Sequence, residues 1–137
     1  MVTKEEIAQR LIDSGVFPTT QRLDIAAVIL SKPQHLSADQ IIAGVRSTGS
    51  RVSKATVYNT LNLFCARGLL RTVEVDPTRQ YYDSCVEPHH HFYNVETGEL
   101  TDIPTDSVSL SVGTALPPET RQVGVDVVIR VRGGKAE

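Results

Sequence analysis

The densest chemical feature of the sequence is the run His89-His90-His91. Residues i and i+2 of a strand share a face, so on a strand His89 and His91 converge while His90 points away. Two imidazoles on one side of a strand are a ready chelate. Asp83 precedes the run, Asp102 follows it on the expected partner strand, and His35 lies far upstream. Together His35, Asp83, His89, His91 and Asp102 form a set of three imidazoles and two carboxylates without sulfur. Such an N/O set suits Fe(II), Mn(II) or Zn(II) in a five-coordinate site better than a closed tetrahedral structural zinc. Three adjacent histidines are seldom structural, whereas a lone His35 or Asp102 is more often an ordinary surface residue.

The two cysteines, Cys65 and Cys85, form no CxxC pair, which excludes a cysteine-built zinc site. Cys65 reads as a small buried apolar residue in a helical stretch, and Cys85 as a loop thiol.

A second constellation runs from Ser53 to Asn62. Val57, Leu61 and Phe64 recur at helical spacing and point to a core. Lys54, Thr56, Tyr58, Asn59 and Asn62 fall largely outside that stripe. Asn pairs with adenine, Tyr and Thr reach the thymine methyl or phosphate, and Lys neutralises phosphate. The plainer reading is the solvated face of an amphipathic helix. Arg22, Arg51 and Arg71 are candidate phosphate or minor-groove contacts.

The elements that must hold these residues follow from periodicity and punctuation. A first helix is expected over 3–14, with Thr3 as cap, Glu6 at the capping-box position and Ile7, Leu11 and Ile12 as its apolar stripe. Thr19-Thr20-Gln21-Arg22 opens a second helix, ended by Pro33. Ser37 begins a third, with Ile41, Ile42 and Val45 inward, and Ser53 caps a fourth that stops at Gly68. Leu69–Val75, a turn at Asp76-Pro77-Thr78, and Arg79–Asp83 read as a two-stranded wing. His89–Val95, a Thr97-Gly98 turn and Glu99–Ile103 read as a second hairpin. A short helix is expected over 106–116 and a strand over 121–131, where Val123, Val125, Val127, Ile129 and Val131 alternate. The fold class is therefore α+β: a winged-helix DNA-binding domain over 1–83, then a small α/β dimerisation domain over 84–137. So small a sheet usually needs a partner, and strand 121–131 is its natural edge.

The formal charge of −2 hides an asymmetry. Residues 1–82 carry ten Lys/Arg against seven Asp/Glu, and residues 83–137 four against nine. A basic front and an acidic rear fit a DNA-binding unit joined to a cation-binding unit. The absence of Trp argues against a stacking surface for single strands. No apolar run approaches a bilayer span, and the opening residues lack the apolar stretch of a signal peptide, so a cytoplasmic protein without membrane partners is expected.

The sequence resembles the ferric uptake regulator (Fur) superfamily over nearly its full length. The carrying residues are Thr19-Thr20-Gln21-Arg22, His35-Leu36-Ser37-Ala38-Asp39, the run from Ser53 to Leu61, Gly68-Leu69-Leu70, Tyr82-Asp83 and His89-His90-His91. Within it the chain is similar to the peroxide-stress regulator (PerR) and iron response regulator (Irr) branches. The resemblance to the former implies a regulatory site of three histidines and two aspartates on His35, Asp83, His89, His91 and Asp102, and DNA contacts at Arg22, Tyr58 and Asn59. It implies a homodimeric, metal-dependent repressor on inverted-repeat operator DNA, sensing peroxide through Fe(II), with Mn(II) giving a peroxide-insensitive form. The alternative implied by the latter is an iron- or haem-responsive regulator using His90 or its neighbours. A small non-haem metalloenzyme shares the ligand chemistry but leaves the Lys54–Asn62 face unexplained. Departures matter too. The family's CxxC pairs fall here on Asn94 and Thr97 and on a cysteine-free tail, so no structural zinc held by four cysteines is expected. No histidine follows His91, and Phe17 stands where many relatives carry a basic residue.

Overall fold

The computed structural model describes residues 2–76, 79–86 and 89–134. The chain divides into two compact units, Met1–Val86 and Glu87–Glu137. Pro77 and Thr78 of the expected wing turn lie outside the described residues.

The first unit begins with four helices: α1 (Lys4–Asp13), α2 (Thr20–Ile29), α3 (Ala38–Ser47) and α4 (Lys54–Ala66). Each starts at a hydroxyl cap. Thr3, Thr19, Ser37 and Ser53 accept the amide of the residue three positions on, and Ser37 with Gln40 completes a capping box. Gly15 and Gly68 end α1 and α4 at φ of +78° and +76°, a conformation costly for a residue with a Cβ. Both ends close the same way. The amides of Gly15 and Val16 donate to the carbonyls of Ile12 and Leu11, and those of Gly68 and Leu69 to Cys65 and Phe64.

The helices bury Ile7 and Leu11, then Ile25, Ala26 and Ile29, then Ile41, Ile42 and Val45, then Val57, Leu61 and Phe64 in one core. Each large aliphatic or aromatic side chain there contributes about 1.5–3 kcal/mol. Ile12 departs from its expected place: it is exposed, because the stripe through Ile7 and Leu11 faces α2 and Ile12 lies outside it. Cys65 is half-buried rather than buried.

The wing has one strand more than expected. β1 (His35–Ser37), β2 (Arg71–Asp76) and β3 (Arg79–Asp83) form an antiparallel sheet in the order β1-β3-β2. Three residues ending on a helix cap carry no alternation to reveal a strand; β1 exists because β3 offers it a free edge. Its register pairs His35 with Asp83 and Leu36 with Tyr82. A clasp fixes it: Ser84 N–H donates to the Gln34 carbonyl at 3.1 Å, and Ser84 Oγ accepts Gln34 N–H at 3.0 Å.

The second unit is a three-stranded sheet of β4 (His90–Asn94), β5 (Leu100–Ile103) and β6 (Val128–Val131), in the order β5-β4-β6. β4 and β5 form the expected antiparallel hairpin, pairing His91 with Asp102, and β6 runs parallel to β4. Two expectations fail here. Residues 106–116 form no helix beyond a single 3-10 turn at Thr105–Ser107, since Val108, Val112, Gly113 and Thr114 are poor helix formers with Pro117 close behind. The strand over 121–131 shrinks to Val128–Val131, the length that β4 pairs, and Gly124 breaks its earlier part. Val123, Val125, Ile129 and Val131 are exposed, Val123 to 93%. No helix among the described residues is long and apolar enough to cross a membrane.

Candidate metal centre and nucleic-acid interface

Each unit assembles part of the anticipated ligand set. In the first, the β1–β3 register sets the His35 Nε2 3.3 Å from Asp83 Oδ2. The Asp83 rotamer is fixed from the other side: its Oδ1 accepts the Cys85 amide at 2.8 Å. Asp83 is fully buried, and the Nε2 of His35 is also out of solvent contact.

In the second unit the β4–β5 hairpin does the positioning. His89 Nε2 and His91 Nε2 converge on one atom, Asp102 Oδ1, at 3.1 and 3.4 Å. Their rings meet edge to face with centroids 4.6 Å apart. His91 is 1% exposed, while the Asp102 side chain remains 51% exposed. As the strand period requires, His90 turns away from both. Its Nδ1 accepts the Val127 amide at 3.0 Å while the His91 amide donates to the Val127 carbonyl at 3.1 Å, so His90 pins the approach of β6 to β4. That gives the middle histidine a structural task which spacing alone did not reveal.

The donor set fits a divalent cation. At metal–nitrogen and metal–oxygen lengths of about 2.0–2.2 Å, neighbouring ligand atoms sit roughly 3.0–3.5 Å apart for angles between a right angle and the tetrahedral value. The separations of 3.3, 3.1 and 3.4 Å fall in that window. Imidazole and carboxylate without thiolate suit Fe(II), Mn(II) or Zn(II).

The α4 face is arranged as anticipated. Val57, Leu61 and Phe64 are buried, and Lys54, Tyr58, Asn59 and Asn62 are exposed on the other side. Thr56 is half-buried, its Oγ1 accepting from the Ser53 hydroxyl at 2.9 Å. α4 carries no acidic residue in its first turn, so Lys54 and the positive end of the helix dipole present an unopposed field to an anion. Arg22 is half-buried, with its Nη1 donating to the Phe17 carbonyl at 3.0 Å, which braces the turn between α1 and α2. Burial pushes the Cys65 thiol pKa up, and burial with the neighbouring Cys65 and Tyr58 does the same for the Tyr82 phenol. Both groups are therefore neutral near pH 7.

Sequence reasoning missed the Gln34–Ser84 clasp and the His90–Val127 bond. Both join segments distant in sequence and carry no local motif. The ligand types were legible; the bonds that hold them were not.

A model of the Ferric uptake regulator family matches residues 13–115. The ferric uptake regulation protein of Synechococcus elongatus is 30% identical over 115 residues, covering 81% of this chain and 78% of that protein. The peroxide-responsive repressor PerR of Staphylococcus aureus is 28% identical over 98 residues, covering 72% and 66%. In fold, the chain is similar to the ferric uptake regulator of Pseudomonas aeruginosa solved with manganese, with a TM-score of 0.68 at 24% identity, covering 93% and 97%. Other similar structures are described with iron or with zinc.

Proposed function

This chain belongs to the ferric uptake regulator family, and from that premise we propose that it is a peroxide-responsive repressor whose signal is read by Fe(II) or Mn(II) at His35, Asp83, His89, His91 and Asp102. At the level of the family, the protein is a metal-dependent transcriptional regulator and not an enzyme; family members are dimeric and bind DNA.

The observation that carries the metal assignment is the convergence of His89 Nε2 and His91 Nε2 on one oxygen of Asp102. Ring nitrogens aimed at a single point, in a largely buried setting, are what a chelate needs before its ion arrives. His35 and Asp83 supply the complementary pair from the first unit. One cation shared by both groups couples metal occupancy to the attitude of α4, and DNA affinity then follows metal affinity by linkage. A coupling of about 1–3 kcal/mol changes occupancy roughly 5–150-fold. In a dimer, two copies of α4 address half-sites about one helical turn apart. The exposed Val123, Val125, Ile129 and Val131 around the β6 edge supply the self-complementary apolar surface.

The peroxide reading is favoured by the similarity to PerR and by the sulfur-free ligand set. Bound Fe(II) supplies one-electron chemistry toward peroxide that Mn(II) does not. His35 and His89, as ligands beside that chemistry, are the side chains expected to gain an oxygen atom. The test is mass spectrometry of anaerobically loaded Fe(II) and Mn(II) forms after hydrogen peroxide. Oxygen on His35 or His89 in the Fe(II) form alone, with loss of operator binding, supports the reading. An unmodified Fe(II) form sinks peroxide sensing and leaves a metal-responsive repressor.

A further inference from the structure

Gln34 stands immediately before His35, and Ser84 immediately after Asp83. The clasp between them uses only the main chain of Gln34, through its N–H and its carbonyl. Ser84 Oγ is itself tied down, donating to the Lys32 carbonyl at 2.9 Å. The Gln34 side chain serves a different element. Its Nε2 donates to the carbonyl of Val28 at 2.7 Å and to that of Ile29 at 3.1 Å, both in the last turn of α2. Carbonyls at that position find no partner within a helix, and α2 has no basic residue in its last turn to supply one. Capping accounts for the side chain alone. It does not account for the main chain of the same residue being locked to the neighbour of the other ligand.

An independent observation comes from the far side of α2. Val28, whose carbonyl Gln34 holds, also marks a close approach of α2 to α3. A Cβ at Gly44 would lie 2.9 Å from Val28 Cγ1, nearer than side chains pack, so glycine is what lets the two helices meet there. A glycine inside a helix costs about 0.5–1 kcal/mol relative to alanine, so the approach is kept against a local penalty. Surfaces packed this closely transmit a displacement rather than absorb it. The ligand strand is joined to α3 directly as well, because Ser37 is both the last residue of β1 and the α3 cap. The three residues that carry His35 are therefore anchored to α2 at one end and continuous with α3 at the other.

We infer that Gln34 is a positioning residue which passes a cation-induced shift of His35 and Asp83 to the C-terminal end of α2, and through Val28 and Gly44 to α3. The inference rests on the reading of His35 and Asp83 as ligands, and deepens it by naming the route out of the site. Gln34 does not touch the cation. Ser84 and Gln34 divide the work: Ser84 keeps the ligand pair in register, whereas the Gln34 carboxamide carries the movement of that pair to the helices. Metal affinity and metal response are then separable by substitution, which a purely structural glutamine would not allow.

Three variants test the route. Gln34→Met keeps the length of the side chain and the main-chain clasp but removes the donor. Gln34→Lys restores a donor, and an ammonium suits the negative end of a helix. Ser84→Ala removes the acceptor of the Gln34 N–H. The full chain is titrated with Zn(II), which is diamagnetic, while its amide resonances are followed. In the native chain Zn(II) should move Leu36 and Ser84, beside the ligands, and also Val28, Ile29 and Gly44. In Gln34→Met the response at Leu36 and Ser84 should remain and that at Val28, Ile29 and Gly44 should collapse; Gln34→Lys should bring it back. Zn(II) affinity should fall about tenfold in Ser84→Ala and stay within about threefold in Gln34→Met. The gain in affinity that Mn(II) confers for a duplex selected from a random pool by the native chain should shrink roughly 2–30-fold in Gln34→Met. That gain is a ratio of loaded to metal-free protein, so a loss of stability common to both cancels. If Zn(II) moves Leu36 and Ser84 in the native chain but leaves Val28, Ile29 and Gly44 still, the route is refuted while the ligand reading stands. If Gln34→Met melts lower but keeps the native gain, Gln34 only caps α2 and the proposal is overturned. If Leu36 and Ser84 do not respond to Zn(II), the ligand reading fails and the route falls with it. The resonances of the native chain decide the matter even if a variant folds poorly.

Discussion

The two oxygens of Asp83 have separate tasks, and a pair of substitutions should separate them. Oδ1 accepts the Cys85 amide at 2.8 Å, and Oδ2 lies 3.3 Å from His35 Nε2 on the proposed ligand side. Asp83→Asn keeps an acceptor for the amide and loses the anionic ligand. Asp83→Ala loses both and leaves the Cys85 N–H without its acceptor. An unsatisfied buried amide costs about 1–3 kcal/mol, and because Cys85 is only half-buried the lower half of that range applies. Taking about 1.5 kcal/mol, the metal-free alanine variant should melt roughly 6–12 °C below the native chain, and the asparagine variant within about 4 °C of it. Both should bind Mn(II) much more weakly. Loss of an outer-shell partner of a metal ligand already costs about 10–100-fold, so loss of a ligand itself should exceed about 100-fold. Thermal unfolding of the metal-free proteins and calorimetric titration with Mn(II) read the two effects separately. If the asparagine variant bound Mn(II) like the native chain, Asp83 would not be a ligand. If both variants melted alike, the assignment of Oδ1 to the Cys85 amide would be wrong.

Other expectations are narrower. Lys54→Ala should leave the melting temperature within about 2 °C, since Lys54 is exposed, and should lower the slope of log affinity for DNA against log salt by about one; an unchanged slope would remove Lys54 from the phosphate contacts. His90→Asn should preserve the acceptor for the Val127 amide, whereas His90→Phe should abolish it and speed hydrogen exchange at Val127 and His91 by at least about fivefold; equal exchange in the two variants would show that His90 does not hold β6. Because burial raises the Cys65 pKa, its thiolate should appear only at higher pH than that of a free thiol, and alkylation of Cys65 should lag behind glutathione until the pH is well above 9; matching pH profiles would contradict the burial seen at α4.

What the sequence determined by itself was chemistry and local shape. The hydroxyl caps at Thr3, Thr19, Ser37 and Ser53, the stops at Gly15 and Gly68, and the stripes through Ile41, Ile42 and Val45 or Val57, Leu61 and Phe64 fix helices through interactions a few residues apart, so they are written in short windows of the chain. The same holds for His89 and His91, which share a face through strand geometry, and for Asp102, which reaches them across a short hairpin. The tertiary structure decided whatever depended on a partner remote in sequence. His35 meets Asp83 because β3 has an edge to which three otherwise unmarked residues can add, and β6 is only as long as the stretch of β4 that pairs with it. Val123 and Val125 precede the stretch that β4 pairs and belong to no strand among the described residues, and the stretch over 106–116 has neither the propensity nor the packing to close a helix. Backbone hydrogen bonds between distant strands are satisfied or left to water by the fold as a whole, and no local pattern of side chains encodes which.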